Sequence, residues 1–97
     1  MQYEVTQLFI HYKGGRYLQI GIAETHHHRG EYDVVYISLT YGKMVTRPLH
    51  RDSRNEDSWT DEVLWPDGMA RARFMPASML GAYTIQTCFP NDPPRTR

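Results

Sequence analysis

The chain has 97 residues, 40% apolar and 12% aromatic, with 11 Lys plus Arg balanced by 11 Asp plus Glu. That length supports one domain with its own core and excludes two. A net charge of zero gives no long-range pull towards phosphate backbones, so non-specific nucleic-acid binding is not expected. The single Cys88 leaves no internal disulfide and fits a reducing compartment. The apolar runs are only a few residues long, too short for a membrane span. The opening MQYEVTQ lacks the charged-then-apolar layout of a signal peptide, so the expected location is cytoplasmic.

Residues 2–12 read as a strand and Lys13-Gly14-Gly15 as a turn. Residues 16–25 form a second strand, with Leu18, Ile20 and Ile22 on one face and Tyr17, Gln19 and Gly21 on the other. His26-His27-His28-Arg29-Gly30 is a polar turn into the next strand. From Val34 to Leu39 the residues suit a strand, and Val35, Ile37 and Leu39 make a purely apolar face, expected to be core. Val34, Tyr36 and Ser38 make a mixed face. Tyr41-Gly42 offers a two-residue hairpin turn. On the return strand, residues 43–49, Arg47 shares the parity of Val45 and Leu49, and Pro48 has no N–H. An edge strand or a bulge is expected there.

Residues 51–58 are charged and read as an exposed loop. Residues 59–65 and 69–75 are paired strands around the turn Pro66-Asp67-Gly68, with Ala70, Ala72 and Phe74 facing inward and Arg71 and Arg73 outward. Residues 76–81 have room for one helical turn, and 83–89 read as a last strand. Residues 90–97 are a Pro-rich tail, expected to be disordered. The expected fold is all-β: a single domain over 1–89, a small SH3-like β-barrel of five to seven short strands with one helical turn before the last. Preference for an SH3-like barrel over an OB-fold is an analogy, and fold does not decide function.

His11-Tyr12-Lys13-Gly14 with Tyr17, Val34-Val35-Tyr36, Tyr41-Gly42, Arg47-Pro48 and Arg73-Phe74 occur in this order. Together they resemble an uncharacterised family, a domain of unknown function found in short bacterial and phage proteins. The resemblance covers roughly residues 8–75. It implies a compact β domain without an assigned reaction and supplies no catalytic residues. The charged stretch 51–58 departs from the family, which often has an apolar or aromatic stretch after Arg-Pro, and residues 76–97 extend beyond the match.

The candidate chemistry follows from residue types. Arg47 is either an Arg at a bulge with a local partner or a guanidinium holding an anion beside Tyr36. His11-Tyr12-Lys13-Gly14 is either a plain β-turn or an anion-binding turn of N–H groups, Lys and His. Tyr36 and Trp59 are the aromatics expected to be exposed, the first on the mixed face and the second beside the charged loop. The His26–His28 run lacks the further spaced ligands of a zinc site and reads as a solvated turn, so no metal and no cofactor are expected. No nucleophile–base pairing is apparent, which favours a non-enzymatic protein.

These features point to a small binding module for an anionic ligand or nucleotide. Its site would use His11, Tyr12, Lys13, Gly14, Tyr36, Arg47, Trp59 and Arg73, and a homodimer is one allowed assembly. In a phage protein, sequestering a host nucleotide signal would suit such a domain. The alternative is an SH3-like protein-interaction module that grips or inhibits a host protein through Trp59, Trp65 and residues 51–58.

Overall fold

A computed structural model describes residues 7–24, 30–50 and 58–90. The expectations for the His26–His28 turn, for 51–57 and for the tail from residue 91 lie outside the described residues. Five strands form one antiparallel sheet: β1 (Gln7–His11), β2 (Arg16–Glu24), β3 (Tyr32–Ser38), β4 (Met44–Pro48) and, later in the chain, β7 (Phe74–Pro76). Their order is β4-β3-β2-β1-β7. A separate two-stranded ribbon pairs β5 (Glu62–Leu64) with β6 (Ala70–Ala72), and α1 (Ala77–Cys88) closes the described chain. The protein is therefore mostly β. Among the described residues the sheet has two ends, β4 and β7, and does not close into a barrel.

Local rules account for the hairpins. Gly14 takes φ +102° in the β1–β2 turn, where its N–H donates to the His11 carbonyl at 2.7 Å. The β5–β6 turn is Pro66-Asp67-Gly68 as expected. The Asp67 carboxylate accepts the Met69 N–H at 3.1 Å and holds the Arg71 guanidinium through two bonds of 3.0 and 2.8 Å. The hydrogen bonds from the Arg71 guanidinium, more than any other influence, keep the Asp67 carboxyl below its ordinary range. The β3–β4 connection is longer than the expected two-residue turn. Ser38 N–H donates to the Lys43 carbonyl at 3.0 Å, so residues 39–42 form the loop.

The register overturns the expected core. Residues paired across strands share a face, which puts Val45 and Arg47 of β4, Val34, Tyr36 and Ser38 of β3, Tyr17 of β2, Phe9 and His11 of β1, and Phe74 of β7 on one side. This is the buried face: Val34 is 0% exposed and Tyr36 6%. Val35 and Ile37, expected to be core, are only half-buried, and Leu39 is 44% exposed. The reason lies in what covers each face. Trp59 and Phe74 pack over the Val34–Tyr36 side, whereas within the sheet, among the described residues, α1 packs on β1 and β7, burying Ile10 with Trp65, Leu80 and Cys88.

A bulge in β2, between Gln19 and Gly21, changes the side-chain parity, so Ile22 pairs with Val34 while Leu18 pairs with Ile37. The expected common face of Leu18, Ile20 and Ile22 is thus split. No bulge interrupts β4, where pairing runs unbroken from Asp33↔Pro48 to Ile37↔Met44. Pro48 is tolerated because β4 is an edge.

The last expected strand is a helix. α1 carries Leu80, Ile85 and Cys88 against Ile10 and Trp65. Tyr83, Thr84, Ile85 and Thr87 have a strand-like local preference, and docking on this cluster overrides it. Gly81 does end the first helical turn, with φ +81° and ψ 157°, and the chain then re-enters helix after this kink. Residues 69–75 are also not one strand: β6 stays in the ribbon and Phe74 crosses to pair with His11 of β1. Ala70 is exposed rather than inward. Arg71 and Arg73 are half-buried, lying over the rings of Trp65 and Tyr12 at 5.5 and 5.6 Å.

Candidate ligand pocket

The buried face of the sheet is paved with aromatic rings centred on Phe74. Trp59 stacks on it at 3.9 Å with planes 3° apart, and His11, Tyr17 and Tyr36 lie at 4.8, 5.4 and 5.9 Å. The Arg47 guanidinium sits over the same ring at 5.4 Å. The structure therefore gathers His11, Tyr36, Arg47 and Trp59 around a residue that sequence reasoning took only as core. Tyr36 and Trp59, expected to be exposed, are buried at 6% and 4%. They act as the wall and floor of the face rather than as an open platform.

Tyr12, Lys13 and Arg73 form a separate stack at the β1–β2 turn, with Lys13 Nζ 5.7 Å and Arg73 Cζ 5.6 Å from the centre of the Tyr12 ring. The backbone of this turn is engaged internally. Tyr12 N–H donates to the Arg73 carbonyl, Lys13 N–H to His11 Nδ1 at 3.2 Å, and Gly14 N–H to the His11 carbonyl. His11 Nδ1 is thus an acceptor, which places a neutral ring's proton on Nε2. Gly14 is buried, and a Cβ there would meet the Phe89 ring at 3.4 Å. The turn consequently reads as a structural corner held by His11 and Phe89.

Beside the aromatic face, towards β4, lies a cavity of about 390 Å³ lined by Tyr17, Tyr36, Ser38, Tyr41, Lys43 and Val45. It is within the range of small-ligand sites, roughly 300–1,000 Å³. Cross-strand register assembles it: Tyr17 opposes Ser38 and Tyr36 opposes Val45, with the 39–42 loop carrying Tyr41 to the mouth. Of these residues only Tyr36 was a sequence candidate. The others share its face through pairing, and parity with Tyr36 was the available signal for Ser38. Tyr41 N–H donates to Ser38 Oγ at 3.3 Å, tying the loop to the pocket wall.

The pocket is electrostatically distinct. Burial pushes the Tyr17 phenol above its ordinary value, the Tyr36 phenol adds to this, the Arg47 guanidinium opposes it, and Tyr41 adds further. Three phenols and a guanidinium thus share one field. At neutral pH the Tyr17 hydroxyl is protonated and can donate.

Gly15 makes room for that phenol. A Cβ at Gly15 would lie 2.7 Å from Tyr17 Oη and 2.9 Å from Cε2. The Tyr17 ring is wedged between His11, Tyr36 and Phe74 and cannot swing away freely. Gly15→Ala is expected to cost about 1–3 kcal/mol in urea unfolding, in the range of overpacked cores. Adding Tyr17→Phe, which removes the nearest atom, recovers part of it. An unchanged midpoint for the single variant would show that Tyr17 is not held there.

Among the described residues no cluster of three His, Cys, Asp or Glu could hold a metal ion, and no helix is long and apolar enough to cross a membrane. Comparison of the chain with protein-family models, curated proteins and solved structures finds no match in any of the three. The resemblance drawn above rests on its spaced motifs alone.

Proposed function

We propose that this chain is a non-enzymatic binding module, built on an SH3-like but open sheet, that holds a small anionic ligand in the Tyr17–Tyr36–Tyr41 pocket. The observation that carries this reading is the lining: three phenols, a hydroxyl and an ammonium, with no carboxylate. Hydrogen-bond donors with a nearby positive charge select an acceptor-rich anion. Arg47, whose field reaches the Tyr17 phenol, reinforces that choice. An aromatic box by itself would also suit a quaternary ammonium, but Lys43 and Arg47 repel one.

A protein-interaction role is the second reading; of its expected residues, 51–57 lie outside the described ones and the two Trp side chains are buried. Trp59 and Trp65 are 4% and 1% exposed and cannot grip a partner. The exposed apolar side chains near the β3–β4 loop are Leu39, Tyr41 and Met44, next to β4, an end strand of the sheet among the described residues.

Native mass spectrometry of gently purified protein, against its denatured mass, separates the two. A discrete small-molecule adduct, lost in Lys43→Glu with the circular dichroism unchanged, is the expected result. A clean apo mass, with no shift in melting temperature across phosphate, sulfate, citrate and benzoate, would move the assignment to protein interaction.

A further inference from the structure

We propose that the anion held by the pocket pairs a flat ring with a terminal phosphate, as a nucleoside monophosphate does. This rests on the anion reading above and names the class of anion. The first argument is the match of donors to acceptors. Five of the six lining residues carry a donor: the phenols of Tyr17, Tyr36 and Tyr41, the Ser38 hydroxyl and the Lys43 ammonium. Ser38 Oγ already accepts the Tyr41 N–H at 3.3 Å, which leaves its own hydrogen to point at another acceptor. A carboxylate presents two oxygens with about four lone-pair sites, whereas a phosphate monoester presents three strong acceptor oxygens. The phosphate is the better partner for a lining so rich in donors.

The second argument is Tyr41. Its side chain lines the pocket yet is 83% exposed, and it sits in a loop turned by Gly42 at φ +69°. Most of its ring surface therefore faces solvent at the mouth, where a base can stack on it. A phosphate alone would leave this surface bare, and a ring alone would leave the donors and Lys43 unmatched. Arg47, on the same face as Val45 and two residues along β4, is near enough for its charge to act on the Tyr17 phenol.

Isothermal titration calorimetry of the full chain tests this, using AMP, GMP, CMP and UMP, their nucleosides, inorganic phosphate and benzoate. At least one monophosphate should bind about tenfold or more tightly than both its nucleoside and inorganic phosphate. Tyr41→Ala should weaken that nucleotide about tenfold, within the range of base stacking, and leave phosphate binding unchanged. Lys43→Gln should weaken nucleotide and phosphate together. Both positions are exposed, so both variants should fold, which circular dichroism checks.

Benzoate binding as tightly as every nucleotide, and lost with Lys43→Gln, would overturn this inference while the anion reading stands. Phosphate binding as tightly as the nucleotides would likewise remove the ring. Nucleotide binding unaffected by either variant would place the contact elsewhere and overturn the proposal. If no anion binds, both readings fall.

Discussion

Phe74→Ala is expected to cost about 3–5 kcal/mol, the range for truncating a buried aromatic. Phe74 is buried and sits between Trp59, stacked on it at 3.9 Å, and the rings of His11, Tyr17 and Tyr36, with the Arg47 guanidinium above. Truncation leaves a void that these rigid rings cannot close by small rotations. It also removes the packing that joins β7 to β1 and holds Trp59 over β3. For a domain whose whole stability is on the order of 5–15 kcal/mol, such a loss populates the unfolded state under mild denaturant. Urea unfolding followed by Trp fluorescence measures it, with Tyr41→Ala as a control expected to change little. A cost under about 1 kcal/mol would mean that Phe74 does not organise the face as described.

The second large effect distinguishes the two faces of β3. Val34→Asp buries a carboxylate at a position that is 0% exposed, and is expected to prevent folding or to cost several kcal/mol. Val35→Asp, one residue on and half-buried on the opposite face, should cost far less and leave a cooperative transition. Urea midpoints of the two variants give the comparison directly. Equal costs, or a larger cost at Val35, would restore the purely apolar face of Val35, Ile37 and Leu39 as the core. This test bears on function as well. Tyr36 and Ser38 line the pocket only because they share the side of Val34.

Much of the local structure was legible in the chain. Gly14 and the Pro66-Asp67-Gly68 run mark turns where they occur, and the alternation from Val34 to Leu39 marks a strand. Gly81 marks the end of a helical turn. The failures have specific causes. Val35, Ile37 and Leu39 are the more apolar set, but hydrophobicity alone does not say which face a distant Trp or Phe will cover. Tyr83 to Thr87 prefer a strand locally, yet Ile85 and Cys88 are needed against Ile10 and Trp65, and a helix puts these two, three residues apart, on one side where a strand would not. The bulge in β2 re-aims Ile22; Gly21 within the strand pattern is its signal, which simple alternation treats as an ordinary strand position.

The candidate site was legible by type rather than by place. Aromatics, an Arg and a Lys were present in number, and Tyr36, one of the candidates, lines the cavity. Tyr17, Ser38, Tyr41 and Lys43 join it through strand register and loop length. Trp59 and Tyr36 could not be judged exposed or buried without knowing where Phe74 lands.

By itself, then, the sequence determined the β-rich character of the chain, its turns and the chemical character of its side chains, because each follows from backbone preference and polarity within a few residues. Tertiary structure decided which face is core, that residues 83–88 are helical, that the sheet of the described residues stays open, and which residues line the cavity. Those outcomes depend on pairings between residues far apart in the chain, such as His11 with Phe74 and Tyr17 with Ser38, and on burial gained only when those segments meet.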